Sequence, residues 1–255
     1  MATGYELSRD SGVSESIGFL LIFAIIITGI ALVTLYGYPL LLQQQVSADE
    51  KIMEKNMIVL QNDIKSLAYK TVPYKETSLK IGGGALTVYG AGSNPTFRLS
   101  YTGSPGFTDK DYDLGELRYE SVSAQTDISL QNGAVVMRPR IQEGSTMLAE
   151  PRWFIDTQII GGSPKKTMVI SMIKITTDTI MAKEGIGTVR MKLVGDPVSI
   201  PYGTGVLTIA YTGSEYSTAW DNYFTNTLKM GGTGPYTLTL DNLVMKEYEI
   251  KIEGI

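Results

Sequence analysis

The stretch that decides the fold is residues 11–45, SGVSESIGFLLIFAIIITGIALVTLYGYPLLLQQQ. From Ile17 to Leu42 it contains no charged side chain. The apolar core of a secretory signal peptide has only about 7–15 residues, whereas about 20 apolar residues span a bilayer. Because this run is too long for the first and ample for the second, we predict a membrane-spanning helix at residues 17–42 that stays in the mature protein.

The helix is expected to continue beyond the apolar run, as far as Lys70. Apolar residues recur there at alternating steps of four and three, the spacing of one helix face. This stripe consists of Met53, Met57, Leu60, Ile64 and Leu67. Charged residues of both signs lie between its members and form a solvated face. The stripe packs either on the protein's own globular domain or on neighbouring copies of the chain, and the sequence leaves both readings open.

Two prolines are expected to shape this helix. A kink is predicted at residues 37–39, because Pro39 lacks a backbone N–H and clashes with the preceding turn. Pro73 is predicted to end the helix, since the residue before a proline disfavours the α conformation.

Composition argues against several functions. The 255 residues include 22 Lys and Arg against 26 Asp and Glu, a net charge of -4, so no basic patch indicates nucleic acid. The absence of cysteine excludes disulfides and thiol catalysis, and the absence of histidine removes the commonest general base. The sequence shows neither Ser-x-x-Lys nor Gly-x-Ser-x-Gly in its expected context. We therefore predict that the protein is not an enzyme and needs no organic cofactor.

Residues 74–255 are predicted to form an all-β, sandwich-like head, which makes the whole chain an α+β protein. Short runs rich in β-branched and aromatic residues alternate there with Gly, Pro, Asn and Asp. Asn132-Gly133 favours the positive φ angles of a type I′ hairpin turn. A second hairpin turn is predicted at Gly82-Gly83-Gly84, between two alternating segments.

One segment of the head, residues 214–228, has the period of a helix. Tyr216, Trp220, Tyr223, Phe224 and Leu228 fall on one helical face, and Ser214 or Ser217 can cap its start. An aromatic platform for carbohydrate and a helix covering one end of the sandwich are the two readings, and the core spacing of the aromatics favours the second.

The stretch TDKDYDLGELRYE, residues 108–120, carries alternating carboxylates. Asp109, Asp111 and Asp113 supply the hard oxygen ligands that calcium prefers. The glycine of an EF-hand loop is misplaced, because Leu114 occupies the sixth position and Gly115 the seventh. An acidic solvated loop is the main expectation, and a calcium site of another type is the alternative.

A resemblance to a known family rests on three segments. VSESIGFLLIF (residues 13–23) is similar to the start of archaeal type IV pilin-like proteins. DISLQNGAVV (residues 127–136) and AWDNYF (residues 219–224) resemble segments of large-headed archaeal surface proteins with such an N-terminus. The likeness covers the chain from Gly12 almost to its end.

The resemblance implies processing, location and function. A prepilin peptidase would cut after Gly12, which makes residues 1–12 a leader and Val13 the start of a helix over residues 13–70. The head would be extracellular, and the helix would anchor the protein and then join other subunits in the core of a pilus-like filament. The alternative is a solitary anchored surface protein or adhesin whose head binds a ligand. Glu15 would pair with the amine of a neighbouring subunit, or it would lie among lipid head groups.

Overall fold

The computed structural model describes residues 9–70, 72–92 and 96–255, without the side chains of residues 9–14 and 96. The chain divides into two compact units, Met1–Ala48 and Asp49–Ile255. The second unit begins inside the long helix and not at the predicted head boundary, residue 74. The reason is that the last part of the helix belongs to the core of the head.

The helix runs through three consecutive segments, α1 (Arg9–Leu32), a π-helical turn (Val33–Gly37) and α2 (Tyr38–Lys70). In the π turn the N–H of Tyr38 donates to the carbonyl oxygen of Val33. The turn lies immediately before Pro39, where an ordinary helical turn would clash with the proline ring. Where a kink was predicted, at residues 37–39, the helix instead passes from a π turn that ends at Gly37 into α2, which includes Pro39.

The rest of the chain is mostly strand. The strands are β1 (Tyr74–Tyr89), β2 (Thr96–Tyr101), β3 (Phe107–Asp113), β4 (Glu116–Ser121), β5 (Thr126–Gln131), β6 (Ala134–Pro139), β7 (Thr146–Ala149), β8 (Phe154–Ile160), β9 (Ser163–Thr176), β10 (Met181–Tyr202), β11 (Gly205–Tyr211), β12 (Tyr236–Leu240) and β13 (Asn242–Gly254). A short helix, α3 (Ser217–Asn222), and a second π turn (Tyr223–Thr227) lie between β11 and β12.

The strands form two sheets. The large sheet has nine strands in the order β7-β6-β5-β4-β1-β10-β13-β9-β8, and the small sheet has four in the order β12-β11-β2-β3. Pairing is antiparallel except between β9 and β13, which are parallel. This arrangement confirms the predicted order of a long helix followed by an all-β head.

Part of the large sheet is buried on both faces. In β6, Val135 belongs to a core shared with the C-terminal part of α2, whereas Val136 belongs to a core shared with the small sheet and α3. Ile173 and Met172 in β9 divide in the same way. Because alternate side chains of a strand point to opposite faces, α2, the large sheet and the small sheet with α3 form three layers.

Of the two predicted hairpin turns, one is confirmed and one is wrong. Asn132 and Gly133 have φ angles of 49° and 69° and connect β5 to β6. Residues 82–84 lie instead in a bulge within the continuous strand β1, where the register with β10 shifts. A Cβ atom at Gly84 would lie 2.2 Å from the carbonyl oxygen of Glu120, so this glycine permits close approach of the next strand.

The predicted amphipathic helix is present and covers the core. Its five apolar side chains are all buried in the core beside the small sheet: they are Tyr216, Trp220, Tyr223, Phe224 and Leu228. The aromatic residues are therefore core residues and not an exposed carbohydrate platform. The N-terminal cap comes from elsewhere in the chain, because the backbone N–H of Ala219 donates to Ser145 Oγ.

Candidate functional site

The apolar helix of the first unit is exposed along its whole length. Its exposed large apolar side chains range from 43% exposure at Leu42 to 73% at Tyr36. By length and composition, this helix is able to cross a membrane. A helix that is apolar all round is stable in lipid or inside protein, so the segment at residues 17–42 requires one of these surroundings.

The residues implied in processing precede this segment. Gly12 and Val13 lie in the helical backbone of α1, while residues 1–8 of the implied leader lie outside the described part of the chain. Glu15 is exposed on the same helix.

The apolar stripe of α2 faces the protein's own head. Met53, Met57, Leu60, Ile64 and Leu67 are each 0% exposed and pack on the large sheet. The reading in which these five residues contact neighbouring copies is wrong, because side chains already buried within one chain have no surface left for another. The reading in which the stripe packs on its own domain is the one that the structure supports.

The three predicted calcium ligands do not converge. Arg98 and Asp111 form a bidentate salt bridge, with Nε–Oδ1 and Nη2–Oδ2 distances of 2.7 and 3.0 Å. Asp109 is exposed at a position with φ 46°, and the segment is strand β3 rather than the predicted loop. No group of three His, Cys, Asp or Glu side chains within the described residues could hold a metal ion. The predicted calcium site is therefore not formed.

Asp113 instead lines a cleft of about 600 Å³ in the head. Leu114, Met172 and Val198 contribute apolar lining. The charged residues of the lining are Lys110, Asp111, Asp113, Lys174, Asp196, Glu247 and Glu249, five carboxylates against two lysines. Sequence reasoning singled out two of these acids, Asp111 and Asp113, but not the cleft, because its lining comes largely from β3, β9, β10 and β13.

Hydrogen bonding in the cleft centres on Glu247. Its Oε1 accepts from Lys110 Nζ at 2.6 Å and from the hydroxyl of Tyr112 at 2.8 Å. Burial and the bond to Glu247 raise the pKa of Tyr112 above its ordinary value. The Oδ1 atom of Asp113 is buried and accepts no hydrogen bond within the described residues. The excess of acceptors and negative charge suits a cationic ligand that donates hydrogen bonds.

A second polar cluster ties the segment before α3 to the large sheet. Glu215 forms ion pairs with Arg118 and Arg138, both at 2.8 Å, and Arg138 also lies 2.9 Å from Asp127. Burial raises the pKa of Glu116, although neighbouring Arg118 opposes the shift. These acids are compensated by arginines, which is the arrangement of a structural network rather than of a reactive carboxylate.

Comparison with known families identifies a match over most of the chain. The model of a family of unknown function, DUF7289, matches residues 11–244. No curated protein and no solved structure is significantly similar to the chain. The matched range extends from the start of the apolar helix into β13. The chain therefore belongs to the family of unknown function DUF7289.

Proposed function

We propose that the chain is a pilin-like subunit, anchored by its apolar helix and able to join other copies in an extracellular filament. The observation that carries the proposal is the contrast along one helix. Large apolar side chains between Ile17 and Leu42 are exposed, whereas Met53 to Leu67 use their apolar face inside the head.

The contrast restricts where subunits meet. Because the stripe on α2 is occupied by the head, contacts that build a filament core fall on the apolar segment itself. A subunit that leaves the bilayer has to bury this segment against several others, since water is a poor solvent for a helix that is apolar all round. In this proposal the same apolar surface of residues 17–42 contacts lipid in the anchored protein and other subunits in the filament.

Glu15 supplies a test of this proposal. A carboxylate at the start of an apolar segment is costly unless it is paired or close to water, and in the proposed filament it pairs with the freed amine of a neighbouring subunit. Glu15→Gln is expected to leave the protein in the membrane and to abolish filaments. Glu143→Gln, which changes an exposed head residue, is the matched control and is expected to leave filaments intact.

The measurement is electron microscopy of the surface of producing cells, with mass spectrometry of isolated filaments and fractionation of membranes. Filaments that contain this chain, begin at Val13 and disappear in the Glu15 variant support the proposal. A chain that stays membrane-bound without entering any filament contradicts it.

The cleft favours a second function, that of an anchored surface protein whose head binds a cationic ligand. The unpaired Oδ1 of Asp113 and the excess of carboxylates are the observations behind it. Full-length protein in detergent, titrated with 1,4-diaminobutane in a calorimeter, is expected to bind more tightly than with neutral 1,4-butanediol. Asp113→Asn is expected to reduce the difference in affinity between the two compounds. Equal responses to the two compounds would contradict a cation site.

A further inference from the structure

The outermost strand β8 of the large sheet differs from the other sheet edges of the described chain. At the opposite edge, β7 has only four residues. In the small sheet, β3 is bulged at Asp109, and β12 has only five residues, of which Thr237 already pairs with Gly231. Such features block unwanted strand pairing. By contrast, β8 is a regular seven-residue strand with Asp156 as its one charge.

The hairpin turn determines which backbone groups of β8 face outward. Gly161 and Gly162, with φ angles of 61° and 82°, form a two-residue turn. The closing pair Ile160–Ser163 therefore exchanges hydrogen bonds, and alternate pairs along the ladder do the same. Ile159 pairs with Pro164, which has no backbone N–H and therefore fits a non-hydrogen-bonded pair. The N–H and C=O groups of residues 155, 157 and 159 consequently point away from β9.

We propose that β8 pairs with β8 of a second copy of the chain, antiparallel and about a two-fold axis at Thr157. In this register Thr157 faces Thr157 of the second copy, and Ile155 faces Ile159. All the outward backbone groups then form hydrogen-bonded pairs. The contact makes the large sheets of the two copies continuous and so joins the two heads at their β8 edges.

The side chains are complementary in the same register. Phe154 faces Ile160 of the second copy, and Asp156 faces Gln158. The amide of Gln158 donates to Asp156 of its own strand at 2.8 Å and has a second N–H for the facing carboxylate. Moving the axis to residue 156 would place two Asp156 carboxylates opposite each other, which is unfavourable. Ile159 and Ile160, 79% and 58% exposed in the single chain, would gain apolar partners. The sequence FIDTQII thus pairs best with itself when Thr157 is at the centre.

A two-fold contact closes on itself and does not propagate. It is therefore distinct from the contacts of the apolar helix, and it does not depend on whether the chain enters a filament. It joins neighbouring anchored molecules, or subunits of adjacent filaments, through their heads.

Disulfide crosslinking tests the proposal, because the chain contains no cysteine of its own. In Thr157→Cys the two Cα atoms would lie about 5.5 Å apart in a hydrogen-bonded pair, which a disulfide bridges readily. In Ile160→Cys, six residues separate the two cysteines along the ladder, or about 20 Å. Full-length protein in membranes, oxidised by air, is expected to give dimers with the first variant at least about tenfold faster than with the second.

A mixture of two further variants tests the register. Phe154→Cys and Ile160→Cys are each expected to stay monomeric alone and to give a mixed disulfide together, because these positions face each other. This result would support the register even if Thr157→Cys folded poorly. Equal crosslinking rates for Thr157→Cys and Ile160→Cys, or no mixed disulfide, would overturn the proposal.

Discussion

Gln61, in the part of α2 that packs on the sheet, donates a hydrogen bond from Nε2 to the carbonyl oxygen of Gly133 at 2.7 Å. The same nitrogen donates to the carbonyl oxygen of Glu150 at 3.0 Å. Gln61 is 2% exposed, so this polar side chain lies within an otherwise apolar interface. It joins the helix to the turn between β5 and β6 and fixes how the two pack.

Replacing Gln61 with leucine is expected to destabilise the protein. The change removes the side-chain donor from the buried carbonyl oxygen of Gly133, whereas the carbonyl oxygen of Glu150 still accepts from Lys65 Nζ at 3.3 Å. We expect a cost of about 1–3 kcal/mol in the free energy of unfolding. Asn62→Leu, at the exposed neighbouring position, is the matched control and should have little effect. Chemical denaturation of the full-length protein in detergent measures both. Equal stability of the two variants would show that the hydrogen bonds contribute little.

Charges placed in the apolar stripe should unfold the head. Leu60→Asp combined with Ile64→Asp forces two carboxylates into a fully buried interface, and we expect a loss of more than about 4 kcal/mol. In cells, the variant should be degraded and lost from the membrane. Val59→Asp, at a position that is 47% exposed on the same helix, should leave the fold intact.

Immunoblots of membrane fractions and protease resistance of the purified protein measure this effect. A folded, abundant double variant would contradict the packing of α2 on its own head. It would support the alternative in which the stripe contacts neighbouring subunits.

Removal of calcium should leave the stability of the head unchanged. Asp111 is neutralised by Arg98, and no three candidate ligands meet within the described residues. Thermal melts of the full-length protein in chelator and in millimolar calcium, at equal ionic strength, should therefore coincide. A higher melting temperature with calcium would reveal a site that binds the folded state.

The buried tyrosines should make the head sensitive to alkali. Burial raises the pKa of Tyr69 to about 12 and also raises the pKa values of Tyr112, Tyr211, Tyr216 and Tyr223. A raised pKa in the folded state stabilises the protein fully below the unfolded value, about 10, and this contribution is lost as the pH rises through the folded value. We expect the free energy of unfolding to fall steadily above about pH 10.

Tyrosinate absorbance and circular dichroism, recorded through the same pH titration, check this expectation. The buried tyrosines should ionise together with the loss of β structure. If all tyrosines ionised near pH 10 while the sheets stayed intact, the inferred burial would be wrong.

Local patterns predicted much of the fold. The length of the uncharged apolar run predicted a membrane-spanning helix, and the spacing of apolar residues predicted the stripe on α2. Asn132-Gly133 predicted a turn whose positive φ angles few other residue pairs adopt easily. The aromatic helical face at residues 216–228 was found in the same way. Each of these features depends on neighbours within a few residues, so the sequence carries its signal directly.

Other features had weak or misleading local signals. Gly82-Gly83-Gly84 suggested a turn, whereas the glycines permit a bulge and close approach between strands. The alternating acids suggested a loop, although Arg98 opposite Asp111 makes the segment a viable edge strand. The segment FIDTQII forms β8, although its mixed pattern shows no regular alternation of apolar and polar residues.

The sequence by itself determined that a charge-free helix precedes a β head, because the cost of charge in lipid and the period of apolar residues are local properties. Only the tertiary structure decided what the stripe of α2 contacts, since an apolar face fits its own sheet or a neighbour equally well until the sheet is placed. The cleft around Asp113 and the open edge of β8 were decided there too. Both depend on strands far apart in the chain, whose pairing no local pattern records.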